Sequence, residues 1–88
     1  MDEKETAFSF PCKFPIKVMG TSVSGFEARA LGIVRQHVPD FANEAMRVNT
    51  SRNGNYLSVT FVIRATGRDQ LDALYRELTA CDDVLMVL

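Results

Sequence analysis

NTSRNGNYLSVTFVIRA, residues 49–65, decides the fold. Leu57, Val59, Phe61, Ile63 and Ala65 fall at every second position, and Tyr56, Ser58, Thr60, Val62 and Arg64 fill the alternate ones. Successive side chains of a strand point to opposite faces, so this stretch reads as a strand with one apolar face and one more polar face. Asn53-Gly54 ahead of it is a strong short hairpin signal, because both residue types tolerate positive φ. The turn also sets register: a slip of one residue would send Phe61 into water. Ser51, Arg52 and Tyr56 flank the tip and are candidate contacts for a partner.

Before the turn, residues 44–52 (EAMRVNTSR) alternate too, with Met46 and Val48 on one side and Arg47, Asn49 and Ser51 on the other. This is the other strand of the hairpin. Further back, SGFEARALGIVRQHVPDF (24–41) has Phe26, Ala30, Ile33, Val34 and His37 at helical spacing. Ser24 and Glu27 have capping-box spacing for its start, and Pro39 stops it. Gly32 weakens the helix and could allow close packing on a sheet. FPIKVMG (14–20) alternates Phe14, Ile16 and Val18 against Lys17 and Met19 and reads as a strand ended by Gly20. The two prolines of FPCKFP (10–15) favour an extended path, and residues 1–9 are expected to form a flexible tail.

After the central strand, TGRDQLDALYRELTA (66–80) carries a second capping-box spacing, Thr66 with Asp69, and a stripe of Leu71, Leu74, Tyr75 and Leu78. DVLMVL (83–88) is a short apolar final strand. The order β-α-β-β-α-β is that of an α+β, ferredoxin-like sandwich: a four-stranded antiparallel sheet with two helices on one face. The first and third strands should be central, and residues 10–88 should form a single domain.

With 88 residues and a net charge of −1, the chain lacks the general basic character of nucleic-acid binders. Cys12 and Cys81 match no zinc or redox spacing and read as reduced thiols. The acidic start, MDEKETAF, does not resemble a secretory signal, and a cytoplasmic protein without membrane association is expected.

The segments FPCKFPIKVMG, HVP, SRNGNYLSV, LYREL and MVL, in that order, resemble the YbeD-like family of small uncharacterised bacterial proteins over residues 10–88. The resemblance implies a ferredoxin-like fold similar to ACT regulatory domains, which bind amino acids or other small effectors and regulate enzymes. It brings no established activity, only a loose association with lipoate metabolism. ACDDVLMVL departs from the family pattern by a longer approach to the last strand, which leaves that strand's register open.

An enzyme needs a set of cooperating groups, and few are on offer. His37 at the end of the first helix reads as a packed helix-terminal histidine rather than a base or metal ligand. Neither cysteine has an obvious activating base, and the adjacent Asp82-Asp83 cannot face one another in a strand. No catalytic residues, metal or cofactor are therefore assigned. The VMGTSVSG loop offers Gly20, Thr21, Ser22 and Ser24 as a candidate ligand site, with free helix-start amides nearby. Ligands of ACT-like domains sit near the equivalent loop, as the resemblance implies. The open sheet face would display Lys17, Met19, Arg47, Asn49, Ser58, Thr60 and Arg64, a locally basic surface for an acidic or phosphate-bearing partner. Lys17, Arg47, Asn49, Arg52, Tyr56 and Arg64 are its candidate contacts. The expected role is a small non-enzymatic regulatory or binding domain that acts through a protein or small effector. The alternative is a nucleic-acid module like an RNA-recognition motif, disfavoured because such a module needs stacking aromatics on its central strands. The uncharged last strand is an edge that invites a homodimer or partner contact unless the FPCKFP segment covers it.

Overall fold

The computed structural model describes residues 9–88. The tail expected over 1–9 thus lies, but for Ser9, outside the described residues.

The central strand forms as its alternation dictates. β3 spans Tyr56–Ala65, and Val59, Phe61, Ile63 and Ala65 are buried. It pairs antiparallel along its whole length with β1 (Cys12–Thr21), from Cys12↔Ala65 to Thr21↔Tyr56. β2 (Met46–Thr50) flanks β3, β4 (Val84–Val87) flanks β1, and the strand order is β2-β3-β1-β4. This is the expected arrangement, with the first and third strands central.

The helices α1 (Phe26–His37) and α2 (Arg68–Ala80) cover one face of the sheet. Phe26, Ala30 and Val34 of α1 and Leu71, Leu74 and Leu78 of α2 join Ile16, Val18, Val59, Phe61 and Ile63 in one core. Phe41 closes its end with an edge-to-face contact to Phe61, the ring centroids 5.8 Å apart. Complete burial of a side chain such as Phe61 contributes about 1.5–3 kcal/mol.

β1 is longer than the sequence suggests and contains Pro15. Lys17 and Leu88 exchange both backbone hydrogen bonds (3.1 and 2.8 Å), so the odd-numbered amides of β1 point toward β4. Pro15 lies two residues beyond, where β4 has already ended. Its missing N–H therefore removes no bond from the sheet.

Several local expectations give way to other solutions. Neither helix has a side-chain cap. Gly25, at φ 72°, turns the chain so that α1 begins at Phe26. Ser24 then donates its hydroxyl back to the Thr21 carbonyl at 3.0 Å, and Glu27 Oε1 is buried without a hydrogen-bond partner. At α2, Gln70 replaces the expected Thr66–Asp69 box: its Oε1 accepts the Thr66 amide at 2.8 Å, and its Nε2 donates to the His37 carbonyl at 3.0 Å. Gly32 is exposed, with no neighbour against it, so it serves no close packing.

The hairpin also closes differently. Ser51 and Tyr56 flank a loop in which the Gly54 amide donates to the Ser51 carbonyl at 2.9 Å. Only Gly54 takes positive φ, 79°, while Asn53 stays negative. The two central residues of the turn are thus Arg52 and Asn53, and Gly54 follows as the left-handed residue.

Candidate binding surface on the open sheet face

Strand parity sorts the charges. The four strands contain four ionisable side chains that are charged at neutral pH, Lys13, Lys17, Arg47 and Arg64, and all four are cationic. Each stands at a position facing away from the helices. Lys13 is directly opposite Arg64, and Arg47, Thr60 and Lys17 form one row across three strands. Among the described residues none of the four has a carboxylate partner. Like charges directly opposite one another are destabilising in a sheet. A chain of net charge −1 therefore gathers unpaired positive charge on one surface and leaves its carboxylates to helices, loops and the N-terminal segment.

One step along the strands from the Arg47–Thr60–Lys17 row, the surface becomes apolar. A groove of about 370 Å³ is lined by Met19, Asn49, Tyr56, Ser58, Leu85 and Met86, among others. Tyr56, Leu85 and Met86 are at least half exposed, at 52, 59 and 50%. A bulge creates this density of apolar side chains. Met19 pairs with Met86 but Gly20 with Val84, so Leu85 is an extra residue on β4 and joins Met86 at the groove. The bulge is also the answer to the register left open for the last strand. Simple alternation assigns Leu85 and Met86 to opposite faces, and that is why sequence reasoning missed the groove.

Of the residues proposed for a partner surface, Lys17, Arg47, Asn49, Tyr56 and Arg64 share the open face, and Arg52 stands exposed at the hairpin turn. The candidate ligand loop lies beside that turn. Ser22 donates its hydroxyl to the Gly54 carbonyl at 2.6 Å, and its amide donates to the Asn55 carbonyl at 2.9 Å. Thr21 is opposite Tyr56. Gly20 is enclosed: a Cβ there would come within 2.6 Å of Phe26 and 2.8 Å of the Asp83 carbonyl. The hydroxyls of Ser22 and Ser24 both donate within the fold, which leaves Thr21 as the hydroxyl of the four-residue set with no such bond.

His37 and Asp83 serve as fasteners between elements. His37 Nε2 lies 3.0 Å from Glu77 Oε1 and so joins the end of α1 to α2. Arg29 pairs with Asp83 and ties α1 to the turn before β4. Cys12 and Cys81 are free and half-buried. The Tyr75 phenol donates to the Leu88 carbonyl at 3.2 Å, and burial raises its pKa above 10.0. Of the FPCKFP segment, Cys12–Pro15 belong to β1, and Phe10 packs against the core beside Leu71 and Tyr75 of α2.

A family model described as "Protein of unknown function (DUF493)" matches residues 5–88. The UPF0250 protein of Nitrosomonas europaea is 47% identical over 85 residues, 97% of this chain and 98% of that one. The UPF0250 protein of Ralstonia nicotianae is 45% identical over 85 residues, 97% of this chain and 88% of that one. Among solved structures, a protein of H. pylori superposes with a TM-score of 0.73 at 16% identity, covering 99% of this chain and 91% of the other. The ACT domain of the GTP pyrophosphokinase of Chlorobium tepidum superposes with a TM-score of 0.65 at 18% identity, covering 86 and 84%. At such identities the structural likeness speaks for the fold alone. By sequence, and with the ferredoxin-like fold that ACT domains share, the chain belongs to the UPF0250 (DUF493) family, the YbeD-like bacterial proteins.

Proposed function

We propose that this chain is a non-enzymatic binding domain that regulates by contact, and that its working surface is the open sheet face. One observation carries the reading: every charged strand residue is a cation on that face, and two of these cations, Lys17 and Arg47, stand next to an apolar groove of about 370 Å³. A surface with an apolar pocket and a charged surround is suited to holding another molecule. The likeness to an ACT domain is in keeping with a regulatory role. A catalytic reading has little to build on: among the described residues His37 contacts the Glu77 carboxylate but hydrogen-bonds no hydroxyl or thiol that it could activate. Nucleic-acid recognition fits less well: Phe14 and Phe61 of the central strands pack toward the helices, which among the described residues leaves Tyr56 as the aromatic of the open face.

The test is affinity capture from native cell extract with three baits: the wild type, Met19→Asp in the groove, and Arg76→Glu on the exposed side of α2. A partner retained by the wild type and by Arg76→Glu but lost with Met19→Asp is the expected result. Partners captured equally by all three would sink the open-face reading. For a small effector, an NMR titration with amino acids and lipoate-related metabolites is the corresponding test. Shifts at the groove support the open face, whereas shifts confined to residues 20–24 move the site to the strand-to-helix loop.

A further inference from the structure

We infer that the occupant of this face is an extended, acidic segment of a partner protein, anchored by one apolar side chain in the groove; the inference rests on the open-face reading above. Its basis is the layout of the face along the strand direction. Met19 and Met86 mark the groove. Lys17 and Arg47 stand two residues further along, and Lys13 and Arg64 four residues beyond those. At about 3.3 Å per residue, the groove is roughly 7 Å from the first cation pair, which is roughly 13 Å from the second. Lys17 and Arg47 straddle Thr60, so a carboxylate above that hydroxyl meets a cation on either side.

An extended segment laid along the strands has the same rise per residue. An apolar residue in the groove then places the residues two and six positions later above the two cation pairs. All three are an even number of positions apart, so all three side chains face the sheet. Carboxylates at those two positions neutralise Lys17, Arg47, Lys13 and Arg64 together. They also relieve the like-charge juxtaposition of Lys13 and Arg64, a feature with no benefit to the isolated domain. A phosphate backbone would meet the same cations, but it offers nothing for the Met19–Leu85–Met86 groove, and among the described residues Tyr56 alone on that face of the central strands could stack a base.

The experiment uses a nine-residue synthetic peptide with leucine second, glutamate fourth and eighth and serine elsewhere, and its glutamine counterpart. Each is titrated into the isotope-labelled full chain. The glutamate peptide should shift the amides of Met19, Ser58, Thr60 and Met86 and bind at least tenfold more tightly than the glutamine peptide. Its affinity should fall as salt rises, through screening of the exposed charges. Lys17→Glu with Arg47→Glu, and separately Lys13→Glu with Arg64→Glu, should each weaken it while the far-UV spectrum stays unchanged. Equal binding of the two peptides, shifts away from the open face, or tighter binding of single-stranded RNA or anionic vesicles to these residues would each overturn the acidic-segment assignment. A captured partner that needs Met19 yet binds the Lys17→Glu, Arg47→Glu protein undiminished would overturn this inference and leave the open-face reading standing. A captured partner indifferent to Met19 and to all four cations would overturn both.

Discussion

Replacing Gly20 by alanine adds one methyl group where the structure has no room for it. The new Cβ would lie 2.6 Å from Phe26 Cδ1 and 2.8 Å from both Phe26 Cγ and the Asp83 carbonyl oxygen. Ordinary contact begins at 3.4 Å, so the deficits are 3.4 − 2.6 = 0.8 Å and 3.4 − 2.8 = 0.6 Å. Neither neighbour yields easily. Phe26 is fully buried in the core, and the Asp83 carbonyl is backbone in the turn that launches β4. Overpacking of this kind costs about 1–3 kcal/mol. For a domain of this size, 2 kcal/mol corresponds to a fall in Tm of roughly 8–16 °C. Urea denaturation followed by circular dichroism measures the first quantity and calorimetry the second. Hydrogen exchange should locate the damage: the Leu88 amide, bonded to the Lys17 carbonyl at 2.8 Å, should lose protection before the amides of β3. Gly32→Ala is the control of opposite sign. It sits exposed in α1 with open space around it and should gain about 0.5–1 kcal/mol. A Gly20→Ala protein as stable as the wild type would refute the close-approach argument and return Gly20 to the candidates for ligand contact.

Gly54→Val should destabilise by about 1–2 kcal/mol with no steric clash, because only its φ of 79° is at issue, and Gly54→Asn should lose less in the same denaturation assay. Gln70→Ala should cost about 1 kcal/mol, more than Asp69→Ala, because Gln70 supplies both the Thr66 amide bond and the tie to the His37 carbonyl. Burial raises the Tyr75 pKa above its unfolded value of 10.0, so its contribution is intact below pH 10 and is lost as pH rises from there through the folded pKa. Stability measured from pH 9 to 11 should therefore fall more steeply in the wild type than in Tyr75→Phe.

The architecture was legible because it depends on periodicity. Alternation over Tyr56–Ala65 and the helical spacing of Leu71, Leu74 and Leu78 both reflect burial against a single core, and burial is what selects them. The helix starts were not, because capping depends on one backbone angle. Gly25 in the left-handed region advances the start of α1 by one residue, and Ser24, at correct spacing in the sequence, bonds backward instead. Likewise Asn53-Gly54 marked a turn correctly but not which residues form its centre, since the side chain of Ser51 takes the Tyr56 amide at 3.1 Å and sets the loop length. Lys17, Arg47 and Arg64 could be placed on the open face by parity alone. Leu85 could not, because a bulge breaks parity, and bulges arise from pairing between strands distant in sequence.

Pro15 has a consequence for solubility. Past the end of β4, the outer edge of β1 points its odd-numbered backbone groups outward. Of these, Pro15 offers no donor and Lys13 carries a charge, both of which discourage a neighbouring chain from extending the sheet. A central strand, β1, thus carries along its uncovered stretch two features that hinder intermolecular sheet growth. Any strand added from outside is confined to the four residues of β4 or to β2 on the far edge. Replacing Pro15 with valine would restore the donor and lengthen the edge open to strand pairing, so the variant should aggregate more readily than the wild type.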